Sequence, residues 1–192
     1  MFFICSPTLV MFLFLSKVQE IRRSKPDYVK EISKMLTSHP ALLTHSLKVF
    51  LMVGRIIDTL PDDALTGQEA KNLLTAAILH DVGKSNWKKD WFIKPRHTLK
   101  DNEWIQMQEH PIEGSRLLQS LQVLPEEVLR IVAQHHERSE GRGYPYGIEP
   151  DLLVTILAAC DVYAACTEER PYRANSYTKE AALSQLAMFA PT

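Results

Sequence analysis

The sequence predicts an all-α helical bundle that forms a single domain. Apolar residues recur at intervals of three and four along most of the chain, which is the period of an amphipathic helix. The chain contains only seven glycines in 192 residues, which leaves little room for β-turns. This length suits one well-packed domain better than two.

The N-terminal segment differs from the rest of the chain. Residues Phe2 to Leu15 are strongly apolar, but Pro7 interrupts the run. The run is also shorter than the about 18 to 20 residues that span a bilayer. No basic residue precedes it and no small-residue cleavage site is obvious, which argues against a signal peptide. We expect residues 1–26 to be an interaction helix or the end of a truncated upstream segment, with a membrane anchor as the alternative.

Two helices are predicted in the first half of the remaining sequence, each from one apolar stripe. The first stripe consists of Leu42, Val49, Met52 and Ile56. The sequence Thr66-Gly67-Gln68-Glu69 then forms a capping box, which is typical of a helix N-terminus. The stripe that follows this capping box consists of Ala70, Leu73, Leu74, Ala77 and Ile78.

Further helices are predicted after residue 100. The next stripe consists of Trp104, Met107, Leu117, Leu118 and Leu121, with Pro111 compatible with a helix start. Pro125-Glu126-Glu127 is typical of a helix N-terminus and precedes Val128, Ile131 and Val132. Another stripe consists of Leu153, Ile156, Leu157 and Cys160, and Thr178 begins the last predicted helix.

Two loops separate these helices. The first runs from Gly83 to about Lys100 and contains Lys84, Trp87 and Lys94. The second, Glu140 to Gly147, is too rich in glycine and proline to be helical.

Composition excludes some classes of protein. A net charge of -1 and 45% hydrophobic residues argue against disorder and against a surface for polymeric nucleic acid. A small anionic ligand remains compatible with this charge, because a local cluster of cations is sufficient. Cys5, Cys160 and Cys166 form no spaced framework, which indicates a reducing cytoplasm.

Histidine and aspartate occur on the stripes where a helix would otherwise bury hydrocarbon. These residues are His45, His80, Asp81, His110, His135, His136 and Asp161. Buried imidazoles and carboxylates are costly unless something neutralises and coordinates them. A hydrogen-bond network is one solution, and a pair of metal ions is the one that we favour for this many groups. Helical bundles commonly build dinuclear sites from ligands on facing helices.

The two doublets, His80-Asp81 and His135-His136, favour two ions over one. Adjacent helical residues diverge by roughly 100°, so they chelate a single ion poorly. An aspartate can bridge two ions through its two oxygens, which indicates Asp81 as the bridging ligand. Imidazole and carboxylate without thiolate suit Fe, Mn, Ni or Zn. His39 and His97 lie off the stripes, and we assign them ordinary hydrogen-bonding roles.

The motifs resemble a known family. His80-Asp81-Val82-Gly83-Lys84 resembles the signature of the HD superfamily of metal-dependent phosphohydrolases. The later segments resemble its HD-GYP subfamily, the cyclic dinucleotide phosphodiesterases of bacterial signalling. They are His135-His136-Glu137-Arg138, Gly141-Arg142-Gly143-Tyr144-Pro145, Asp161-Val162-Tyr163 and residues 167–173. Lys94-Pro95, Glu103-Trp104 and Glu109-His110-Pro111 agree with the middle section of that subfamily, so the resemblance covers roughly residues 40 to 190.

This resemblance implies a catalytic domain over residues 27–192 with a five- to seven-helix core. It implies that the seven histidines and aspartates bind metal, usually iron or manganese, with Asp81 as the bridge. Members with a third metal have a glutamate where this chain has Ala41, so we expect two metals. The resemblance places phosphate and ribose contacts at Lys84, Tyr144, Arg170 and Arg173. The chain departs from the subfamily at Ser139-Glu140, Ala164 and Cys166, none of which is an expected ligand.

The expected activity is hydrolysis of a cyclic dinucleotide to the linear dinucleotide, mononucleotides or both. Cyclic di-GMP is the leading substrate, and the hybrid 3′,3′-cyclic GMP-AMP is the second. Two metals would activate water for attack on phosphorus, with Asp81 and Lys84 as the catalytic residues. The alternatives are a metal-containing sensor that binds the dinucleotide without turnover and, less favoured, a mononucleotidase. The apolar N-terminus fits a protein partner or an upstream sensory domain, and a homodimer remains open.

Overall fold

The computed structural model describes residues 26–92, 94–95, 98–168 and 176–189. Within these ranges all regular structure is helical and no strand occurs, so the predicted all-α class is confirmed. The α-helices are α1 (Pro26–Thr37), α2 (Pro40–Ile57), α3 (Gly67–Leu79), α4 (Asp101–Gln108), α5 (His110–Ser120), α6 (Glu126–Gln134), α7 (Leu152–Thr167) and α8 (Lys179–Ser184). The predicted N-terminal segment lies outside the described residues, apart from the backbone of Pro26.

Short 3-10 helices complete the secondary structure of the described ranges. They are Val82–Asn86, Lys89–Phe92, Ser139–Gly141 and Gln185–Phe189. The expectation of a continuous loop from Gly83 to Lys100 was therefore wrong in its first half. The reason is local, because backbone donors there bond three residues back, from Lys84 N to Asp81 O at 2.9 Å and from Trp87 N to Lys84 O at 3.0 Å.

Side-chain caps explain where three helices begin. The predicted capping box is present at α3, where Thr66 Oγ1 accepts from Glu69 N at 3.2 Å and Glu69 Oε2 accepts from Thr66 N at 2.8 Å. Asp151 caps α7 by accepting from the amide of Val154 at 2.9 Å. Thr178 caps α8, as the sequence predicts. Each cap satisfies a backbone donor that a helix N-terminus leaves unpaired.

The hydrophobic core lies between α2, α3, α6 and α7. Helix α2 packs against α3 and α7, and α6 packs against α3 and α5. The predicted stripes of α6 and α7 are buried, and the residues with no exposed surface include Val49, Val53, Leu73, Val128, Ile131, Val132, Val154 and Leu157. Ile56 is the exception among the predicted stripe residues of α2, because it lies in the last turn and is 41% exposed.

Helix α2 is long and apolar enough to span a membrane, with 18 residues and a mean hydropathy of 1.3. It is the one helix among the described residues that meets this test. A core helix of a bundle has the same composition, and α2 buries Leu42, Val49, Phe50 and Val53 within the protein. We therefore interpret α2 as a core helix.

Gly83 allows the segment after α3 to approach α5 closely. A Cβ atom at Gly83 would lie against the carbonyl oxygen of His110 and 2.7 Å from the amide nitrogen of Gly114. Both neighbours are backbone atoms of α5, which cannot rotate away as a side chain would. This contact brings His80 and Asp81 next to His110, so it positions the candidate site.

We predict that Gly83→Ala destabilises the protein by about 1–3 kcal/mol, because the added methyl group forces backbone atoms apart. Urea unfolding followed by circular dichroism measures this difference. Gly67→Ala is the matched control, because a Cβ at Gly67 meets nothing within 4 Å. Alanine also has the higher helix propensity, so equal destabilisation by both substitutions would contradict the argument.

Candidate metal centre

The structure brings the seven predicted ligand side chains together. His45 lies on α2 and Asp161 on α7, whereas His110 is the first residue of α5. The doublets His80-Asp81 and His135-His136 follow the C-terminal ends of α3 and α6. Six of the seven side chains belong to buried residues, and His136 is partly exposed.

Three overlapping groups of these residues have ligand atoms within 4.8 Å of one another. The groups are His45, His80 and Asp81; His110, His135 and His136; and His80, His135 and Asp161. A site of this kind can hold more than one ion, because the first two groups share no residue.

The carboxylate of Asp81 lies between two pairs of histidines. Its Oδ2 lies 3.9 Å from His45 Nε2 and 3.6 Å from His80 Nε2. On the other side, Asp81 Oδ1 lies 3.3 Å from His110 Nε2 and 3.8 Å from His135 Nε2. Each oxygen therefore faces a different pair of nitrogens, which is the arrangement that a bridging carboxylate requires.

Backbone carbonyls orient three of the imidazoles. The Nδ1 atoms of His80, His110 and His135 donate to the carbonyl three residues earlier, at 2.9, 2.6 and 2.7 Å. A donating Nδ1 leaves the Nε2 lone pair as the acceptor. Such hydrogen bonds are typical of metal-binding histidines, because they fix the tautomer and the ring orientation.

These lone pairs converge without enough donors to satisfy them. The Nε2 atom of His110 lies 3.2 Å from Nε2 of His135 and 3.2 Å from Nε2 of His136. Among the described residues, His80 Nε2 and Asp81 Oδ1 are buried and form no hydrogen bond of acceptable geometry. A buried acceptor without a partner is costly. Nitrogen and carboxylate donors of this kind therefore fit divalent metal ions.

The pKa directions agree with this donor set. Burial and the neighbouring histidines hold the pKa of His135 and of His136 well below the ordinary value, so both imidazoles are neutral. Burial disfavours the charge on Asp81, yet the positive charge of Lys84 and contacts with His80 and His110 lower the pKa of Asp81 well below its ordinary value. Neutral imidazole and ionised carboxylate are the forms that bind metal.

His45 differs from the other histidines. Burial alone lowers its pKa, but hydrogen bonds to Asp161 at 2.8 Å and to Glu168 at 2.9 Å raise it to about 9. The metal-free site therefore keeps a proton on His45. A metal ion held by Nε2 would have to displace this proton, which would couple metal binding to proton release.

Glu168 is a site residue for which the sequence analysis assigned no role. Its Oε1 accepts from Nδ1 of His45, so a carboxylate orients this imidazole, whereas backbone carbonyls orient those of His80, His110 and His135. The signal was present in the spacing, because Glu168 follows Asp161 by seven residues, which is two helical turns.

Glu137 is a second residue that the sequence analysis did not assign. Its side chain is fully buried and accepts from the backbone amides of Tyr146 at 2.7 Å and Ile148 at 3.1 Å. The loop is thereby held over the site, and the Tyr144 ring stacks on His136 with ring centroids 4.7 Å apart. The position of Glu137 directly after the His135-His136 doublet was the signal for it in the sequence.

The remaining predicted residues are placed as follows. Lys84 Nζ lies 2.7 Å from both oxygens of the Asp81 carboxylate, with good hydrogen-bond geometry only to Oδ2. His39 bonds through Nε2 to the Trp87 carbonyl at 3.1 Å. Arg170, Arg173 and His97 lie outside the described residues.

A cavity of about 210 Å³ opens onto the seven predicted ligands, His45, His80, Asp81, His110, His135, His136 and Asp161, which we call the metal-ligand cluster. Its lining includes His45, Asp81, His110 and His136 from the cluster, Lys84 and Tyr144 beside it, and the aromatic residues Trp87, Trp91, Phe92 and Trp104. The arrangement can hold metal ions with an anionic ligand next to them.

Sequence comparison relates this chain to known proteins. The profile of the HD domain matches residues 30–190. A cyclic di-GMP phosphodiesterase of Pseudomonas aeruginosa is 34% identical over 167 residues, which cover 77% of this chain and 39% of that protein. A 3′3′-cGAMP-specific phosphodiesterase of Vibrio cholerae is 35% identical over 105 residues, which cover 53% of this chain and 22% of that protein. The chain therefore spans less than half the length of these curated relatives.

Comparison with solved structures shows a similar fold in two proteins. The HD domain of a phosphodiesterase from L. monocytogenes, solved with cyclic-di-AMP, has a TM-score of 0.62 at 16% identity and covers 81% of this chain and 78% of that one. An HDG"Y"P protein from Bdellovibrio bacteriovorus has a TM-score of 0.57 at 20% identity over 74% of this chain and 45% of that one. Since the family profile covers nearly all of the described helices, the chain belongs to the HD domain family.

Proposed function

We propose that this chain is a metal-dependent phosphodiesterase of the HD-GYP type that hydrolyses a cyclic dinucleotide. The observation that carries the proposal is the position of Asp81 between two pairs of histidine nitrogens, next to a cavity that Lys84 also lines. Relatives named as cyclic di-GMP and 3′3′-cGAMP phosphodiesterases support this substrate class. Cyclic di-GMP is the first candidate and hybrid cyclic GMP-AMP the second, with linear dinucleotide, mononucleotides or both as products.

Two divalent ions, iron or manganese, would occupy the centre, although the donors also suit nickel or zinc. His45, His80 and Asp161 would serve one ion, and His110, His135 and His136 the other, with Asp81 shared. Ala41 lines the cavity but has no side-chain donor, which supports two ions instead of three. Bound ions of this kind lower the pKa of water and polarise a phosphoryl oxygen.

The chain supplies the other parts of the chemistry. The ammonium group of Lys84 lies beside Asp81 at the cavity wall, where it would offset the negative charge that develops on the phosphate. Tyr144 stacks on His136 and would contact the ligand from the loop Glu140 to Gly147. Arg170 and Arg173 remain predictions for the second phosphate, which a planar guanidinium grips with two hydrogen bonds.

We further propose that residues 27–192 act as one catalytic unit in the reducing cytoplasm. Residues 1–26 would contact a protein partner or an upstream sensory domain. No surface for polymeric nucleic acid is proposed, because the net charge of the chain is -1.

The proposal is tested with manganese- or iron-loaded protein that is incubated with cyclic di-GMP, cyclic GMP-AMP or cyclic di-AMP. Chromatography of the products and metal analysis of the same sample are the measurements. We expect linear dinucleotide or mononucleotide from at least one of the first two substrates. Tight binding with no product from any of the three would support the alternative, a sensor without turnover.

We predict that Asp81→Ala removes metal and activity together. Loss of the shared carboxylate should lower the metal content below one ion per chain and reduce turnover at least about 100-fold. Metal analysis and product formation measure the two effects. Asp62→Ala is the control, because Asp62 is exposed. Full metal content with full turnover in Asp81→Ala would exclude the bridging role.

We predict that Lys84→Ala slows turnover about 10²- to 10³-fold while the metal content holds, because the substitution removes an electrostatic contact made to the reacting phosphate. The turnover number and the metal content of the same preparation are the measurements. Lys88→Ala is the matched control, since Lys88 is exposed in the same segment. Unchanged kinetics in Lys84→Ala would contradict the role of this ammonium group.

A further inference from the structure

All three tryptophans of the chain line the cavity that opens onto the metal-ligand cluster. They are Trp87, Trp91 and Trp104, and Phe92 lies among them. Trp87 lies next to the metal-ligand cluster. Its ring centroid is 5.7 Å from that of His110 and 5.5 Å from Lys84 Nζ. We call Trp87, Trp91 and Phe92 the aromatic wall.

The rings of the aromatic wall are held in place by one another. The ring centroids of Trp87 and Trp91 lie 5.6 Å apart, as do those of Trp87 and Phe92. His39 packs against the wall. Its ring centroid lies 4.2 Å from that of Phe92, and its Nε2 lies 3.1 Å from the Trp87 carbonyl oxygen. A wall of this kind is preorganised, which lowers the entropy lost when a ligand binds.

Stability of the fold does not explain these aromatic residues. All three are only partly buried, and none belongs to the hydrophobic core cluster of the described residues. A fully buried aromatic side chain removes about 150–250 Å² of its surface from water. The partly exposed side chains of this wall bury less, so they stabilise the fold less than core residues do. Partly exposed rings grouped at a cavity are typical of a surface that a ligand covers.

The distribution of charge indicates which ligand fits. At one end of the cavity are Lys84 and the metal-ligand cluster, which suit a phosphate group. Lys94, the other lysine in the lining, already forms ion pairs with Asp90 at 3.2 Å and Glu103 at 3.0 Å. The wall is therefore an aromatic surface next to an anion site. A nucleotide fits this arrangement, because its phosphate matches the anion site and its flat base matches the aromatic surface.

We propose that the aromatic wall is a stacking subsite for one nucleobase of the substrate, which holds the base while the phosphodiester lies at the metal centre. This inference rests on the proposed function. This cavity measures about 210 Å³, which is below the about 300–1,000 Å³ of pockets for drug-sized ligands, so part of a cyclic dinucleotide would extend beyond it. Every base has a π-face, so the wall contributes affinity and accepts guanine and adenine alike.

Tryptophan fluorescence tests the subsite directly, because every tryptophan of the chain lines this cavity. Stopped-flow mixing of the metal-loaded protein with cyclic di-GMP records binding before turnover. We expect the emission to be quenched. Trp91→Ala should weaken binding and raise KM about 5- to 150-fold with little change in kcat or metal content. Trp91→Phe keeps a π-face and should lose only a few-fold, whereas Trp91→Leu keeps an apolar side chain and should behave like Trp91→Ala.

Ile105→Ala is the control, because Ile105 is 58% exposed on the neighbouring helix α4 and its removal should change neither KM nor emission. Circular dichroism identifies any variant that fails to fold. The KM of Trp91→Phe compared with that of Trp91→Leu then shows whether binding needs an aromatic ring at this position. Hydrolysis of cyclic di-GMP with unchanged emission, or with wild-type KM in Trp91→Leu, would overturn the subsite and leave the phosphodiesterase intact. Quenching that depends on Trp91 without turnover would support the subsite and contradict the proposed enzyme. Absence of binding would overturn both.

Discussion

The burial of the Asp81 carboxylate among four histidine nitrogens is the constraint on which the rest of the structure depends. Its two oxygens lie 3.3 to 3.9 Å from the Nε2 atoms of His45, His80, His110 and His135. Lys84 offsets the negative charge, but one ammonium group does not satisfy the imidazole lone pairs that face each other at 3.2 Å. Burial of this many polar groups is costly, and cations among them would offset that cost.

Helix ends make this arrangement possible. The two doublets lie where α3 and α6 end, and His110 lies where α5 begins. At these positions the backbone carbonyls of Ala77, Met107 and Val132 accept from the imidazoles and aim Nε2 at the interior. The contact between Gly83 and α5 then fixes the distance between the doublet after α3 and His110. The site is therefore as rigid as the packing of the helices that form it.

Two glutamates extend the influence of the cluster beyond its ligands. Glu168 ties His45 on α2 to the end of α7 through a hydrogen bond across 123 residues of sequence. Glu137 ties the loop that carries Tyr144 to the end of α6. Both carboxylates accept hydrogen bonds from donors inside the fold, so they position His45 and the loop that carries Tyr144. The aromatic wall also lines this cavity.

Most helices, the capping box at Thr66 and the seven polar positions on apolar stripes could be predicted from the sequence, whereas α1 (Pro26–Thr37) was not predicted. These follow from local spacing, because the period of a helix decides which residues share a face. Which of these residues contact one another depends on the tertiary structure. His45 meets Asp161 across 116 residues, Glu168 reaches His45, and three tryptophans line one cavity. Local periodicity predicts the direction of a side chain, but the distance between two faces depends on how the helices pack.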